Sequence, residues 1–348
     1  MVWRGGGRKA PAYPIVPSMF ASLEVIDNCI VTVHLGCCHG ELAVLLDSDL
    51  YLPQSWVDDR TSGGERCRQA GIPDDLSCRP KTAIALAQVR RAIGNGIRFD
   101  WQLFDEGYGK DPSFLLGLDE LGQTWIGEVP KNFRCWPRLP QYHSLRKEFA
   151  TKEVYNVVRR SPAFIYQQWR SFTLARQTVE PVVWDVKAAQ VHLRDPITHR
   201  PTDRTYWLIV AWKRNTSGGD EYKYFLSNAP PHTDVELLLR VAFRRSEIEH
   251  LFRLAKQEVG LAHFEGRSYA GLLRHMLLCQ LVLLFLAEQT RRINHDMEAA
   301  AAPQAAANRG EKEARPPGPA TVQAARGSAT RDDRADRRFA PLALCPLA

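Results

Sequence analysis

Phe99-Asp100-Trp101-Gln102-Leu103-Phe104-Asp105-Glu106-Gly107-Tyr108-Gly109 is a largely apolar run that stops at an acid and then turns. Its first six residues predict a short buried strand. An acid at the C-terminal lip of a strand, beside glycines that let the backbone bend, suits a ligand site. The same Asp also suits a helix N-cap or a turn. Working outward, Lys81 to Ile93 carries apolar residues at helical spacing (Ile84, Ala85, Val89, Ile93) and closes at Gly94-Asn95-Gly96. Ser113 to Leu121 reads as a helix stopped by Gly122, and Thr124 to Val129 as a strand ended by Pro130. Upstream, Asn28 to Leu35 is rich in β-branched residues and predicts a strand. Gly36 to Gly40 is a turn, and Glu41 to Tyr51 is a second strand, completing a hairpin. Residues 28–130 therefore read strand, strand, helix, strand, helix, strand. That is an α/β pattern with an antiparallel hairpin at its start.

The flanks read differently. Residues 1–20 look irregular, and Pro53 to Pro80 is polar and loop-rich. Residues 131–180 are mixed and cationic. Residues 181–227 read as a small β region, with strands at Val182 to Leu193, Tyr206 to Trp212 and Tyr222 to Leu226. Asp234 to Leu261 returns to helix. Residues 269–289 form a very apolar helix, interrupted by Arg274, His275 and Gln280; it reads as a buried core helix, because the clean run is too short to span a bilayer. From Asp296 the chain is rich in Ala, Pro, Gly and Arg with no apolar period, and is expected to be disordered or loosely helical.

The 348 residues carry a net charge of +7 with 45% hydrophobic and 24% charged residues. A soluble protein with a polyanionic partner fits, as does a mildly basic protein with none. Met1 to Pro17 has no apolar core of a secretory signal. The eight cysteines form no CxxC pair, so reduced thiols of a cytoplasmic protein are expected. Cys37-Cys38-His39 is a poor metal motif, since adjacent cysteines rarely share one zinc.

A second informative stretch is Arg245-Ser246-Glu247-Ile248-Glu249-His250-Leu251-Phe252-Arg253-Leu254-Ala255-Lys256. On a helix, Arg245, Glu249, Phe252 and Lys256 share one stripe. A carboxylate between two cations could hold a metal while the cations hold phosphates; a solvated face with an Arg245–Glu249 pair is the plainer account. Lys131, Arg134 and Arg138, interleaved with Phe133 and Trp136, could touch DNA or form a solvated loop. Trp169 and Trp184 could stack on a base or belong to the core, and His250 reads as a surface residue.

With these residues in hand, the chain resembles a bacterial insertion-sequence transposase with a DDE, RNase H-like catalytic domain, from about Ser18 to Leu286. The signature Tyr-x2-Arg-x3-Glu-x6-Lys is matched by Arg245, Glu249 and Lys256, with Ala242 in the Tyr position. Asp-Glu-Gly-Tyr-Gly at 105–109 resembles the second-acid strand end. Leu50-Tyr51-Leu52-Pro53, Trp56-Val57-Asp58-Asp59 and His263-Phe264-Glu265-Gly266-Arg267-Ser268 resemble further stretches of one subgroup. The resemblance implies an RNase H-like mixed sheet flanked by helices, with a β-rich insertion before the Glu-bearing helix. It divides the chain into an irregular N-terminus (1–17), the first part of the core (18–135), the insertion (136–233), the core helices (234–292) and a disordered tail (293–348). It implies Asp105 and Glu249 as catalytic, metal-binding acids for Mg²⁺ or Mn²⁺, and Arg245, Lys256 and Lys131 on DNA phosphates. It implies double-stranded DNA of insertion-sequence ends as partner, allows a homodimer on DNA, and places the protein in the cytoplasm at the nucleoid, off the membrane.

Such a site needs three acids. The first Asp usually lies in a strand before the hairpin, and Met1 to Pro17 contains no Asp or Glu. Among stand-ins, Asp27 and Glu24 lie nearest the missing strand, while Asp47, Asp49, Asp58 and Asp59 lie on or after the second hairpin strand. The expectation is an N-terminally truncated chain without its first strand. Two readings follow: a DDE transposase, inactive as written because one acid is missing, or a non-catalytic relative that binds only DNA or partner subunits.

Overall fold

The computed structural model describes residues 13–15, 30–39, 42–139, 151–176, 179–214 and 219–313. In chain order the first elements are β1 (Tyr13–Ile15), β2 (Thr32–His39), β3 (Leu42–Leu50), α1 (Gln54–Thr61), α2 (Arg66–Gln69) and α3 (Lys81–Gly94). Next come β4 (Gln102–Phe104), α4 (Glu106–Gly109), α5 (Pro112–Glu120), β5 (Trp125–Val129), β6 (Arg134–Trp136) and β7 (Lys152–Glu153). The remainder is α6 (Val154–Arg160), α7 (Pro162–Ile165), β8 (Arg170–Arg176), β9 (Val179–Leu193), β10 (Tyr206–Arg214), β11 (Asp220–Ser227), α8 (Val235–Phe243), α9 (Ser246–Gln257) and α10 (Tyr269–Glu313).

Two sheets meet at β1. One has the order β1-β2-β3, all antiparallel; the other runs β4-β5-β11-β10-β9-β6-β7, with β8 also on β9. Strands β4 and β5 are parallel, with Phe104 opposite Gly127. The three residues of β1 pair with β2 (Tyr13 opposite Cys38, Ile15 opposite Gly36) and run alongside β4 without a shared ladder. A mixed sheet flanked by helices, opening on an antiparallel hairpin and continuing into a parallel pair, is the RNase H-like arrangement the sequence implied. Among the described residues, the place of its first strand holds the three-residue β1.

Side chains alternate across the sheet as the period of two requires. Val33, Leu35, Phe104, Trp125, Val129, Leu208, Val210 and Leu226 face a core closed by Ile84 and Val89 of α3 and by Phe114, Leu115 and Leu118 of α5. Cys38, Leu103, Ile126, Ile209, Ala211 and Phe225 face the other side, beneath Leu238 and Leu239 of α8 and Ile248, Leu251, Phe252 and Ala255 of α9. The β-rich segment adds its strands to the free edge of β5, through β11, so both cores run on beneath it.

Several local readings change. β2 continues through Gly36 to His39, where a turn was expected, because a bulge between Leu35 and Gly36 resets the register and keeps Cys38 in the core. Cys37 and Cys38 are thus successive residues of one strand, and burial pushes both thiols up, Cys37 to about 11; they make no ligand pair. The stretch 53–80 holds two short helices over a small core of Leu52, Cys67 and Ile72. The helix over 234–261 is broken at Arg244-Arg245 into α8 and α9. The apolar helix is not buried all round: Leu272, Met276, Cys279 and Leu283 are buried, while Leu277, Leu278, Leu281 and Phe285 are exposed. It also runs on past Ile293 to Glu313 through an Ala-rich stretch of high helix propensity; residues 314–348 lie outside the described ones.

Two features fix the elements that carry the acids. A Cβ on Gly109 would stand 2.0 Å from the carbonyl oxygen of Glu128, so only glycine lets α4 lie against β5. Replacing Gly109 by Ala is expected to lower the unfolding free energy by about 1–3 kcal/mol, the usual range for forcing extra volume into a packed contact; urea unfolding measures it. The second feature is His34 of β2, fully enclosed. Its Nδ1 lies 2.6 Å from Ser48 Oγ of β3 and its Nε2 2.6 Å from Thr32 Oγ1; Gln280 Nε2 of α10 donates to the same Ser48 oxygen at 2.6 Å. The His34 ring meets Phe252 of α9 edge-on at 5.4 Å. Burial first, then the Lys256 ammonium, lowers its pKa from the usual 6.5 to about 4. The folded state therefore holds His34 neutral. Its contribution is present above pH 6.5 and is lost as pH falls through about 4, a shift worth ~3 kcal/mol. Unfolding of the native chain should take up about one more proton in that window than unfolding of His34→Gln. Equal pH slopes in paired denaturation series would refute this role.

Candidate active site

Asp105 follows β4, and its extended backbone (φ −88, ψ 178) caps α4. Its carboxylate accepts the Tyr108 N–H at 3.3 Å, and its carbonyl accepts from Tyr108 and Gly109 at 3.1 and 2.9 Å. The N-cap reading of this residue is thus realised. Burial first, then the Asp105 charge, raises the Tyr108 hydroxyl above its ordinary range. From the parallel register, Asp105 comes level with Glu128, and Lys131 leaves the sheet at the same end. Lys131 is exposed. Glu128 is occupied by Lys223, whose ammonium lies 2.9 and 3.0 Å from its two oxygens.

Glu249 lies on α9, with 57% of its side chain exposed, and accepts from Arg245 at 2.5 Å. The expected stripe exists: Arg245 and Glu249 meet one turn apart, Phe252 is buried against His34, and Lys256 is half-buried on the same helix. Burial lowers the Lys256 pKa. Arg244 makes a two-pronged pair with Glu247 at 2.7 and 3.1 Å. His250 is exposed beside Arg253, as a surface histidine should be.

The described stand-in acids are engaged elsewhere. Arg91 of α3 bonds Asp47 at 2.8 Å and also Asp49, on the outer strand of the hairpin. Asp58 accepts from Gln54, and Asp59 pairs with Arg66. Glu24 and Asp27 lie outside the described residues. Among the described residues, no three His, Cys, Asp or Glu side chains gather into a group that could hold a metal ion. A pair of metals needs several carboxylate oxygens converging on one point. Here one carboxylate caps a helix, one pairs with an arginine, and β1 supplies none. The described residues do not fit such a centre.

The cationic loop sorts into two kinds of residue. Phe133 and Trp136 are core, and Arg134 is held by Thr151, through its hydroxyl at 2.7 Å and its carbonyl at 2.8 Å; Lys131 and Arg138 remain exposed. Trp184 is buried against Phe243 and is core. Trp169 is not: it packs 5.7 Å from Trp212, which stacks on its cross-strand partner Tyr222 at 6.4 Å. Lys187 lies over Trp169, Arg214 over Trp212 and Arg159 over Tyr155, at 4.8, 5.8 and 5.1 Å. Apart from Trp169, this aromatic and cationic face went unread in the sequence. The signal was there in outline, in Trp212 and Tyr222 flanking one turn, but their pairing depends on the register of β10 and β11.

A protein-family model described as DDE superfamily endonuclease matches residues 8–190, a little more than half of the chain, including β1 through most of β9. No curated protein matches the chain. With the RNase H-like sheet in place and the family model covering more than half of the chain, the chain belongs to the DDE superfamily endonucleases.

Proposed function

We propose that this chain is an insertion-sequence transposase relative that holds double-stranded DNA without cutting it. DNA is the substrate its family implies, with a divalent metal ion as the usual helper. The observation that carries the non-catalytic half is β1. It stands between the hairpin and β4, where the family's first acid belongs, and Tyr13, Pro14 and Ile15 bring no carboxylate. Asp105 and Glu249 correspond to the other two acids and mark the former reaction centre. In-line displacement on a phosphodiester needs charge stabilisation on both the attacking and leaving oxygens, and two carboxylates without the third acid do not organise it.

The binding half rests on charge. Arg245 and Lys256 line one stripe of α9, Lys131 projects at the sheet end near Asp105, and the exposed cations of the β9–β11 face add to a net charge of +7. Such contacts are indifferent to sequence and act by displacing counterions. Recognition of specific insertion-sequence ends, with Mg²⁺ or Mn²⁺ at the site, belongs to relatives with all three acids.

Fluorescence anisotropy on a labelled duplex tests both halves. The chain should bind with affinity that falls steeply with salt. Lys256→Ala should weaken binding several-fold and reduce the salt slope by about one. Glu249→Ala should leave binding intact or tighten it, because it removes an anion from the stripe. No Mg²⁺-dependent nicking is expected. Nicking that Glu249→Ala abolishes would sink the non-catalytic reading; binding insensitive to salt would sink the DNA reading.

A further inference from the structure

Leu50 to Asp59 and His263 to Ser268, set apart in the sequence, play no part in the site above, and the fold brings them together. Leu52, with Trp56 and Val57 beside it, builds the small core of the lobe over 53–80, and Tyr269, the residue after Ser268, packs against that core. The Tyr269 N–H donates to the Ala70 carbonyl at 2.7 Å, tying the start of α10 to the lobe. Beside this junction lies a cavity of about 360 Å³ lined by Pro73, Asp75, Leu76, Ser77, Arg79 and Tyr269. That volume falls within the ~300–1,000 Å³ of small-molecule sites. Arg60 braces the loop that forms its wall. The guanidinium donates to the carbonyls of Pro73, Asp74 and Leu76 at 3.1, 2.8 and 3.2 Å, and the Leu76 N–H closes a turn on Pro73 at 3.1 Å.

The polar side chains on this wall are not used by the fold. Among the described residues, those of Asp75, Ser77 and Arg79 make no hydrogen bond, and Asp75 and Arg79 form no ion pair, even with each other. Both charges act on the Tyr269 hydroxyl: burial first, then Asp49 and Asp75, raise its pKa, and Arg79 opposes them. A carboxylate offers two acceptor oxygens and no donor; a guanidinium offers donors alone. The cavity therefore suits a ligand with two adjacent N–H donors, an anionic group, and a flat body for Pro73, Leu76 and the Tyr269 ring. Among the nucleobases, guanine presents two adjacent donors, N1–H and N2–H, on one edge. Adenine and cytosine offer a donor beside an acceptor, and thymine one donor between two acceptors. Each of those sets an acceptor against the Asp75 carboxylate. A phosphate supplies the anion for Arg79.

We propose that this cavity binds a guanine nucleotide, with Asp75 on the N1–H and N2–H edge, Arg79 on the phosphate and Tyr269 against the ring. The site uses none of the residues assigned to DNA phosphates above, so it stands or falls apart from that reading. Isothermal titration calorimetry of the full chain with guanosine monophosphate should show binding. Inosine monophosphate, which lacks the N2 amino group, and guanosine, which lacks the phosphate, should each bind about tenfold more weakly or worse. Adenosine monophosphate should not bind measurably. Asp75→Asn should lose guanosine monophosphate and gain xanthosine monophosphate, whose C2 carbonyl accepts from the asparagine amide. A misfolded variant gains nothing, so the exchange separates recognition from stability. Displacement of the bound nucleotide by an oligonucleotide ending in an unpaired guanine, and not by one ending in an unpaired cytosine, would make a DNA strand the source of the guanine. Displacement by neither would make it a free nucleotide, and either result supports the site. Displacement by both alike would overturn the proposal. So would no binding at about 1 mM nucleotide, equal binding of adenosine monophosphate, free arginine bound in its place, or Asp75→Asn without the exchange.

Discussion

The parallel contact of β4 with β5 is the constraint from which the rest of the architecture hangs. It needs a glycine on each side of the pair. Gly127 leaves room for the Phe104 ring, which a Cβ would approach to 1.9 Å, and Gly109 lets the turn after Asp105 lie on the Glu128 carbonyl. With those contacts made, Phe104 stacks edge-on to Phe114 at 5.1 Å and against Trp125 at 5.7 Å, anchoring α5 beneath the sheet. β5 then offers its other edge to β11, and the whole β-rich segment is templated on it. A strand end that looks like a ligand site in sequence is therefore first a packing junction.

That junction governs how the acids are presented. Asp105 owes its orientation to the cap of α4, and Glu249 owes its to Arg245. Each carboxylate already has a hydrogen-bond partner, the Tyr108 N–H for Asp105 and the Arg245 guanidinium for Glu249. The Arg245–Glu249 pair, with an exposed carboxylate, is worth little to stability by itself. It does, however, set the stripe's balance by offsetting one anion.

Much of this was legible in the sequence, for a definite reason. Where the hydrophobic period is clean, as in α3, β4, β5 and β10, element type and location follow from it. The motif residues Asp105, Arg245, Glu249 and Lys256 were placed on the right elements because their spacing is local. What escaped reading was non-local. The bulge that carries β2 on to His39 depends on β3, the break at Arg244-Arg245 depends on α8 and α9 packing separately onto the sheet, and the Trp212–Tyr222 stack depends on cross-strand register. The apolar helix was read simply as a buried core helix because composition reports how much apolar surface there is, not which face is covered.

Among the described residues, the hairpin and the larger sheet share no ladder: β1 bonds to β2 and runs beside β4. Side chains make the connection instead. On one face, Val33 and Leu35 pack on α3, and Gln88 Nε2 donates to the Val33 carbonyl at 2.8 Å. On the other, His34 touches Phe252 and, through Ser48, Gln280. The Glu-bearing helix is thus positioned by the hairpin, and the Asp-bearing strand by β5.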